Sequence, residues 1–171
     1  MRFLLTAKHW QVFFILIFGL FLNNFSIEGN PTLTTTLNIV GYLTYFLWPM
    51  LVGHGLQEYL PKKVTLSETF FLINGFICLT AILGILIISD GQGMSFSGIE
   101  ALPMFYVFYA FLYYLSFPGR TLKSIENKRL ANFGEYIGDF FLVVFLPVGI
   151  WFLQPRINKV VDEQDKQIEI E

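Results

Sequence analysis

Basic residues fall in four short blocks of this chain, and the stretches between the blocks decide what it can fold into. No Lys or Arg occurs between Lys8 and Lys62, and none between Lys63 and Arg120. The gaps are filled by apolar runs bounded by short polar connections. A membrane-crossing helix needs about 20 predominantly apolar residues, within a range of about 17–25. Five stretches come near this: 10–25, 35–55, 69–89, 102–117 and 138–154. Each is apolar around most of its circumference, as a helix in lipid must be. Only 14% of the residues are charged, against about 25% in soluble domains. Twenty phenylalanines exceed what the interior of a soluble domain of 171 residues would hide. The expected fold is an all-α integral membrane bundle of five helices over residues 1–158.

The connections alternate in charge. Eight basic residues (Arg2, Lys8, Lys62, Lys63, Arg120, Lys123, Lys128 and Arg129) fall on one side of the first four spans, and none on the other. Basic connections stay cytoplasmic, which puts the amino terminus inside. The last apolar stretch, FFLVVFLPVGIWFLQPRIN, is the difficult one. Its uncharged part, 140–155, is 16 residues long, or roughly 24 Å of helix against a hydrocarbon core of roughly 30 Å. A kinked span at Pro147 leaves Arg156, Lys159 and Lys166 outside. A return at Leu146-Pro147-Val148-Gly149 keeps all eleven bases inside, but a re-entrant backbone needs partners for its polar groups. The reading adopted is a kinked fifth span, with a re-entrant or interfacial helix as the alternative.

Residues 159–171, which hold five of the thirteen acids, read as an acidic, poorly ordered tail. The opening run ends without a small-x-small cleavage pattern and reads as an uncleaved first span rather than a signal peptide. Cys78, the single cysteine, makes no internal disulfide or cysteine-based metal site and reads as a small buried hydrophobe.

AKHWQVFFIL near the start, GLQEYLP, RTLKSIE and the closing FFLVVFLPVGIWFLQPRIN together resemble a group of small polytopic membrane proteins of Bacteroidetes-type bacteria. These share a KHWQ-x-F opening and a P-x-GIW-x-x-QP-[KR]-IN close. In this chain the close places Pro147, Gly149, Trp151, Gln154, Pro155, Arg156 and Asn158. The resemblance implies a bacterial inner-membrane protein and brings no activity with it.

Ionisable residues near spans are the default place to look for function. His54 closes the second span with Glu58 one turn on, and Glu135 and Asp139 open the fifth. With His9 they have the types for a metal or proton site, weighed against acids that pair with Arg120, Lys123 or Lys128 and a His9 that lies at the interface. Asp139 suits either a proton carrier or a first-turn acid that complements the helix dipole. Asn38 and Asn74 read as interhelical hydrogen-bonding glue. Tyr106, Tyr109 and Tyr113 recur at helical spacing, and only the central Tyr109 lacks an interfacial account. GEYIG (134–138) matches GxxxG weakly. Leu122, Ile125, Leu130 and Phe133 mark the apolar face of a short interfacial helix in the connection 118–133. Its Arg120, Lys123, Lys128 and Arg129 would meet anionic headgroups or a protein partner.

Walker, GxSxG, HExxH and CxxC patterns are absent, and no cofactor, metal or nucleic acid is expected. The leading expectation is a non-enzymatic accessory or assembly subunit that works through partners. The alternative is a small oligomeric transporter or channel using the carboxylates at the mouth of the last helix.

Overall fold

The computed structural model describes residues 2–89 and 94–168, and among these it is all-α, without strands. Seven helices follow one another: α1 Arg2–Thr6, α2 His9–Asn23, α3 Pro31–Gly55, α4 Glu68–Ile88, α5 Leu102–Glu126, α6 Phe133–Val144 and α7 Leu146–Ile168. Their starts are locally encoded. Asn30 accepts the Leu33 N–H (3.1 Å) ahead of Pro31, Ser67 accepts that of Phe70 (3.3 Å), and Asn132 donates its N–H to Glu135 (2.8 Å).

Among the described residues, α3 with the 3-10 turn that continues it (Pro31–Tyr59, mean hydropathy 1.3) and α4 (Glu68–Ile88, 2.6) are the two helical stretches long and apolar enough to cross a membrane; α2 is apolar but has 15 residues. The five expected spans therefore reduce to two on length and composition. α5 starts where its span was placed but runs on through Pro118 and Gly119, so Arg120 and Lys123 sit on its last two turns. The separate interfacial helix is not there: Leu122 is buried in the core, while Leu130 and Phe133 are exposed.

Neighbours in sequence are neighbours in space. Each helix from α2 to α7 packs on the next, α7 closes the ring on α2, and α3 also touches α5. The centre is a column of rings from three helices. Phe46 of α3 stacks on Tyr114 of α5 (4.3 Å), Tyr114 on Phe71 of α4 (5.2 Å), and Phe71 on Phe117 (4.1 Å). Such pairs add about 0.5–1.5 kcal/mol each beyond burial. Outward faces are apolar too: Phe14 and Phe18 on α2, Phe76 on α4, Phe105 and Phe108 on α5, and Val148 and Phe152 on α7 are exposed.

Residues 138–154 are not one helix. α6 ends at Val144, Phe145 leaves helical geometry (φ −97, ψ 47), and the chain reverses. Asp139 and Arg156, 17 positions apart, are hydrogen-bonded at 2.5 and 3.0 Å; one straight helix would separate them by about 25 Å. The arms approach so closely that a Cβ on Gly149 would lie 1.9 Å from the Leu142 carbonyl oxygen. The kinked fifth span is thus corrected to a helical hairpin. Pro147 does not kink a helix but occupies the first turn of α7, where its missing N–H is harmless. The turn leaves few loose ends: the Val148 and Gly149 amides reach the Phe145 carbonyl (3.0 and 2.8 Å), and Tyr45, midway along α3, donates to the Val144 carbonyl (2.7 Å). The hairpin tip therefore lies at the middle of the bundle.

α7 also extends into the stretch expected to be loose. Leu146, Ile150, Leu153, Ile157 and Val161 form a buried stripe at helical spacing, which carries the helix to Ile168; residues 169–171 lie outside the described residues. α1, the carboxyl ends of α3 and α5, and the base of the hairpin gather at one end of the bundle. Leu5 abuts Gly55, the Leu4 carbonyl takes Gln154, and Glu126 takes Arg156. All eleven Lys and Arg belong to segments at this end.

Candidate functional site: a polar clamp at the base of the hairpin

Arg156 is the hub of the polar residues. Its guanidinium fork meets Asp139 on one side (2.5 and 3.0 Å) and Glu126 on the other (2.7 Å twice), and Lys123 reaches Glu126 at 3.3 Å. Paired forks of this kind are the strong form of charge-assisted hydrogen bond. One side chain of α7 thus ties the last turn of α5 to the first turns of α6. Gly119 makes the approach possible, since a Cβ there would lie 2.9 Å from that of Asp139. Burial pushes the Glu126 carboxyl up, but the hydrogen bonds and charge of Arg156, then those of Lys123, outweigh it and hold the group below its ordinary value. The Arg156 guanidinium is raised in return, first by Glu126 and, against burial, by Asp139.

The opposite face of α7 holds the start of the chain. Gln154, fully buried, donates to the Leu4 carbonyl (2.7 Å) and to Asn158 (3.1 Å), and Asn158 donates to the Ala7 carbonyl (3.2 Å). Carbonyls in and just after the short α1, which lack helical partners, are satisfied by two amides of the last helix. Trp151, one turn earlier, packs against His9 (4.6 Å) and Phe13 (5.6 Å). The opening and closing motifs of the sequence therefore meet in space.

The other candidate residues do not converge. His54 pairs with Glu68 at the start of α4, and Glu58 points outward, exposed. Glu135 closes the α6 capping box and takes a fork from Arg129 (3.1 and 2.5 Å); these hydrogen bonds, from Arg129 and then from the Asn132 amide, hold its carboxyl below the ordinary value. Arg120 lies over the Tyr136 ring (5.8 Å), and Lys128 is exposed in a left-handed turn (φ 52). The expected pairing of the fifth-helix acids with Arg120, Lys123 or Lys128 is therefore replaced by Arg156 and Arg129. Among the described residues, no three His, Cys, Asp or Glu side chains come together as a metal site. Tyr109 is half-exposed in a ladder with Tyr106 and Tyr113 (6.1 and 6.4 Å). Gly134 and Gly138 have nothing within 4 Å of a built Cβ, so GEYIG draws no helices together. Asn74 is buried against Tyr106 (3.2 Å), and Asn38, with its amide oriented to suit, caps the Leu22 and Asn23 carbonyls of α2 (3.1 and 3.2 Å).

Sequence reasoning missed Glu126 and Glu68. For the Asp139–Arg156 pairing that recruits Glu126 there was a signal: Asp139 and Arg156 are opposite charges at the two ends of an apolar run too short to span, and a hairpin brings such ends together.

Comparison with family models, with curated proteins and with solved structures finds nothing that matches this chain.

Proposed function

We propose that the chain is a polytopic protein of a bacterial inner membrane that acts without catalysis, as an accessory or assembly subunit. In this reading α2, α3, α4 and the first part of α5 cross the bilayer. The α6–α7 hairpin enters from the cytoplasmic side and returns, and the amino-terminal end of the bundle faces the cytoplasm. The confinement of all eleven bases to one end supports the orientation. The apolar outer faces support the bilayer, and the shortness of α2 is of the size that local thinning accommodates.

The observation that carries the functional reading is the engagement of Asp139 by Arg156 on both oxygens. A proton carrier must be free to exchange its proton, and this carboxylate is tied into an ion pair that joins three helices. Glu135 and His54 are similarly engaged, which leaves the alternative transporter without its central group. The exposed Lys62, Lys63 and Lys128 at the same end offer a basic face for a partner.

Purification from native membranes through an amino-terminal tag tests this. A stoichiometric second protein is expected, lost on reversing Lys62, Lys63 and Lys128 to Glu. A bare homo-oligomer whose ion flux in vesicles is abolished by Asp139→Asn, with the fold retained, overturns it in favour of a transporter. A reporter fused after Glu171 is expected to read cytoplasmic, and a periplasmic reading refutes the re-entrant hairpin.

A further inference from the structure

We infer that the cleft between the start of α2 and the last turns of α7 is a binding site for the phosphate of an anionic glycerophospholipid. The inference rests on the membrane reading above. The cleft has a volume of about 520 Å³, and its lining includes Lys8, His9, Asn158, Lys159 and Lys166 along with Asp162 and Glu163. Charge complementarity selects the ligand. Lys159 already leans towards Glu163 (3.7 Å), whereas Lys8 and Lys166 have no ion pair among the described residues. Two unpaired ammonium groups thus face one space against a single unpaired carboxylate, Asp162, with the first turn of α2 beside them. That turn carries the positive end of the helix dipole.

The surroundings select a lipid rather than a soluble anion. Trp151 packs on His9 of the lining (4.6 Å) and Trp10 follows His9 in the chain; each is about half-exposed (46%), and half-exposed tryptophans are the residues that sit at headgroup level. On the bundle side of them, exposed Phe14, Val148 and Phe152 continue an apolar face on the same two helices, suited to acyl chains. Basic pockets between helices on the cytoplasmic side are a recurrent headgroup geometry.

The test uses the full chain in neutral detergent, titrated with short-chain phosphatidylglycerol, short-chain phosphatidylcholine or glycerol 3-phosphate, and read by tryptophan fluorescence and native mass spectrometry. Phosphatidylglycerol is expected to bind at least about tenfold more tightly than phosphatidylcholine. Lys8→Gln with Lys166→Gln is expected to remove the preference, and Lys62→Gln with Lys63→Gln, at the same end but outside the cleft, to keep it. Equal binding of the two lipids, or equal loss in both double variants, overturns the site. Binding of glycerol 3-phosphate as tight as that of the lipid overturns the lipid assignment. Loss of the preference on adding an acidic peptide, with tighter peptide binding, gives the cleft to a protein partner instead. Carbonate extraction separates this from failure of the membrane reading. A chain released from membranes refutes both, and a chain that stays but shows no lipid preference refutes only the site.

Discussion

Replacing Arg156 by Gln removes the shared partner of two carboxylates, and the cost follows from their surroundings. The Asp139 side chain is 9% exposed, near the limit at which deleting one member of a buried pair costs about 3–5 kcal/mol. Arg156 and Glu126 are 30% and 27% exposed, so water takes up part of the loss, as it does at the surface, where ion pairs contribute only about 0–1 kcal/mol. The expected destabilisation lies between, at about 2–3 kcal/mol. Reversible unfolding in mixed micelles of rising dodecyl sulfate fraction, followed by tryptophan fluorescence, measures it. Lys159→Gln on the same helix is the internal control, because the Lys159–Glu163 pair is 3.7 Å apart with side chains 76% and 64% exposed. Its change should stay below about 0.5 kcal/mol. Asp139→Asn completes a double-mutant cycle, with a coupling of about 1–2 kcal/mol expected for groups in one network. An Arg156→Gln protein no less stable than the Lys159→Gln protein, or an additive cycle, would refute the reasoning.

Gly149→Ala sets a methyl against the Leu142 carbonyl, a backbone atom that cannot swing aside. The loss should reach or exceed the roughly 1–3 kcal/mol of ordinary overpacking, and a disulfide engineered between the hairpin arms should form more slowly than in the parent; an unchanged rate refutes the close approach. Acid should loosen the clamp. The folded value of the Glu126 carboxyl lies below its ordinary 4.5, so its contribution is complete above that pH and is lost as pH falls through the folded value. Unfolding midpoints between about pH 6 and about pH 3 should fall less steeply for Glu126→Gln than for the parent, and parallel curves refute the pairing.

Helix positions were legible in the sequence wherever burial or lipid contact needs a long apolar run. The stretches at 35–55 and 69–89 match α3 and α4 to within a few residues. The reading failed where tertiary partners override local punctuation. Pro118-Gly119 looks like a stop, yet α5 continues because both residues are buried against neighbours, with the Thr121 hydroxyl donating to the Phe117 carbonyl (2.8 Å). Leu122, which opened the apolar pattern assigned to a separate surface helix, lies on the buried face of that continuation, whereas Leu130 and Phe133 lie beyond its end and are exposed. Whether Pro147 kinks or reverses the chain is likewise not a local property. Reversal requires Tyr45 to take the Val144 carbonyl, Gly149 to admit Leu142, and Glu126 to join Arg156, and each of these partners comes from another arm or another helix.

The form of the closing motif follows from the same geometry. Successive helical residues are turned by about 100°, so Trp151, Gln154 and Asn158 share one face and Arg156 points away from it. The first face holds His9, Phe13 and the carbonyls of Leu4 and Ala7; the second holds Asp139 and Glu126. α7 is therefore a two-sided key that closes the ring between the first and the middle helices. A residue set used up in closing a fold has few groups left to act on a substrate. That is why ligands are better sought in the basic cleft beside this stretch than along it.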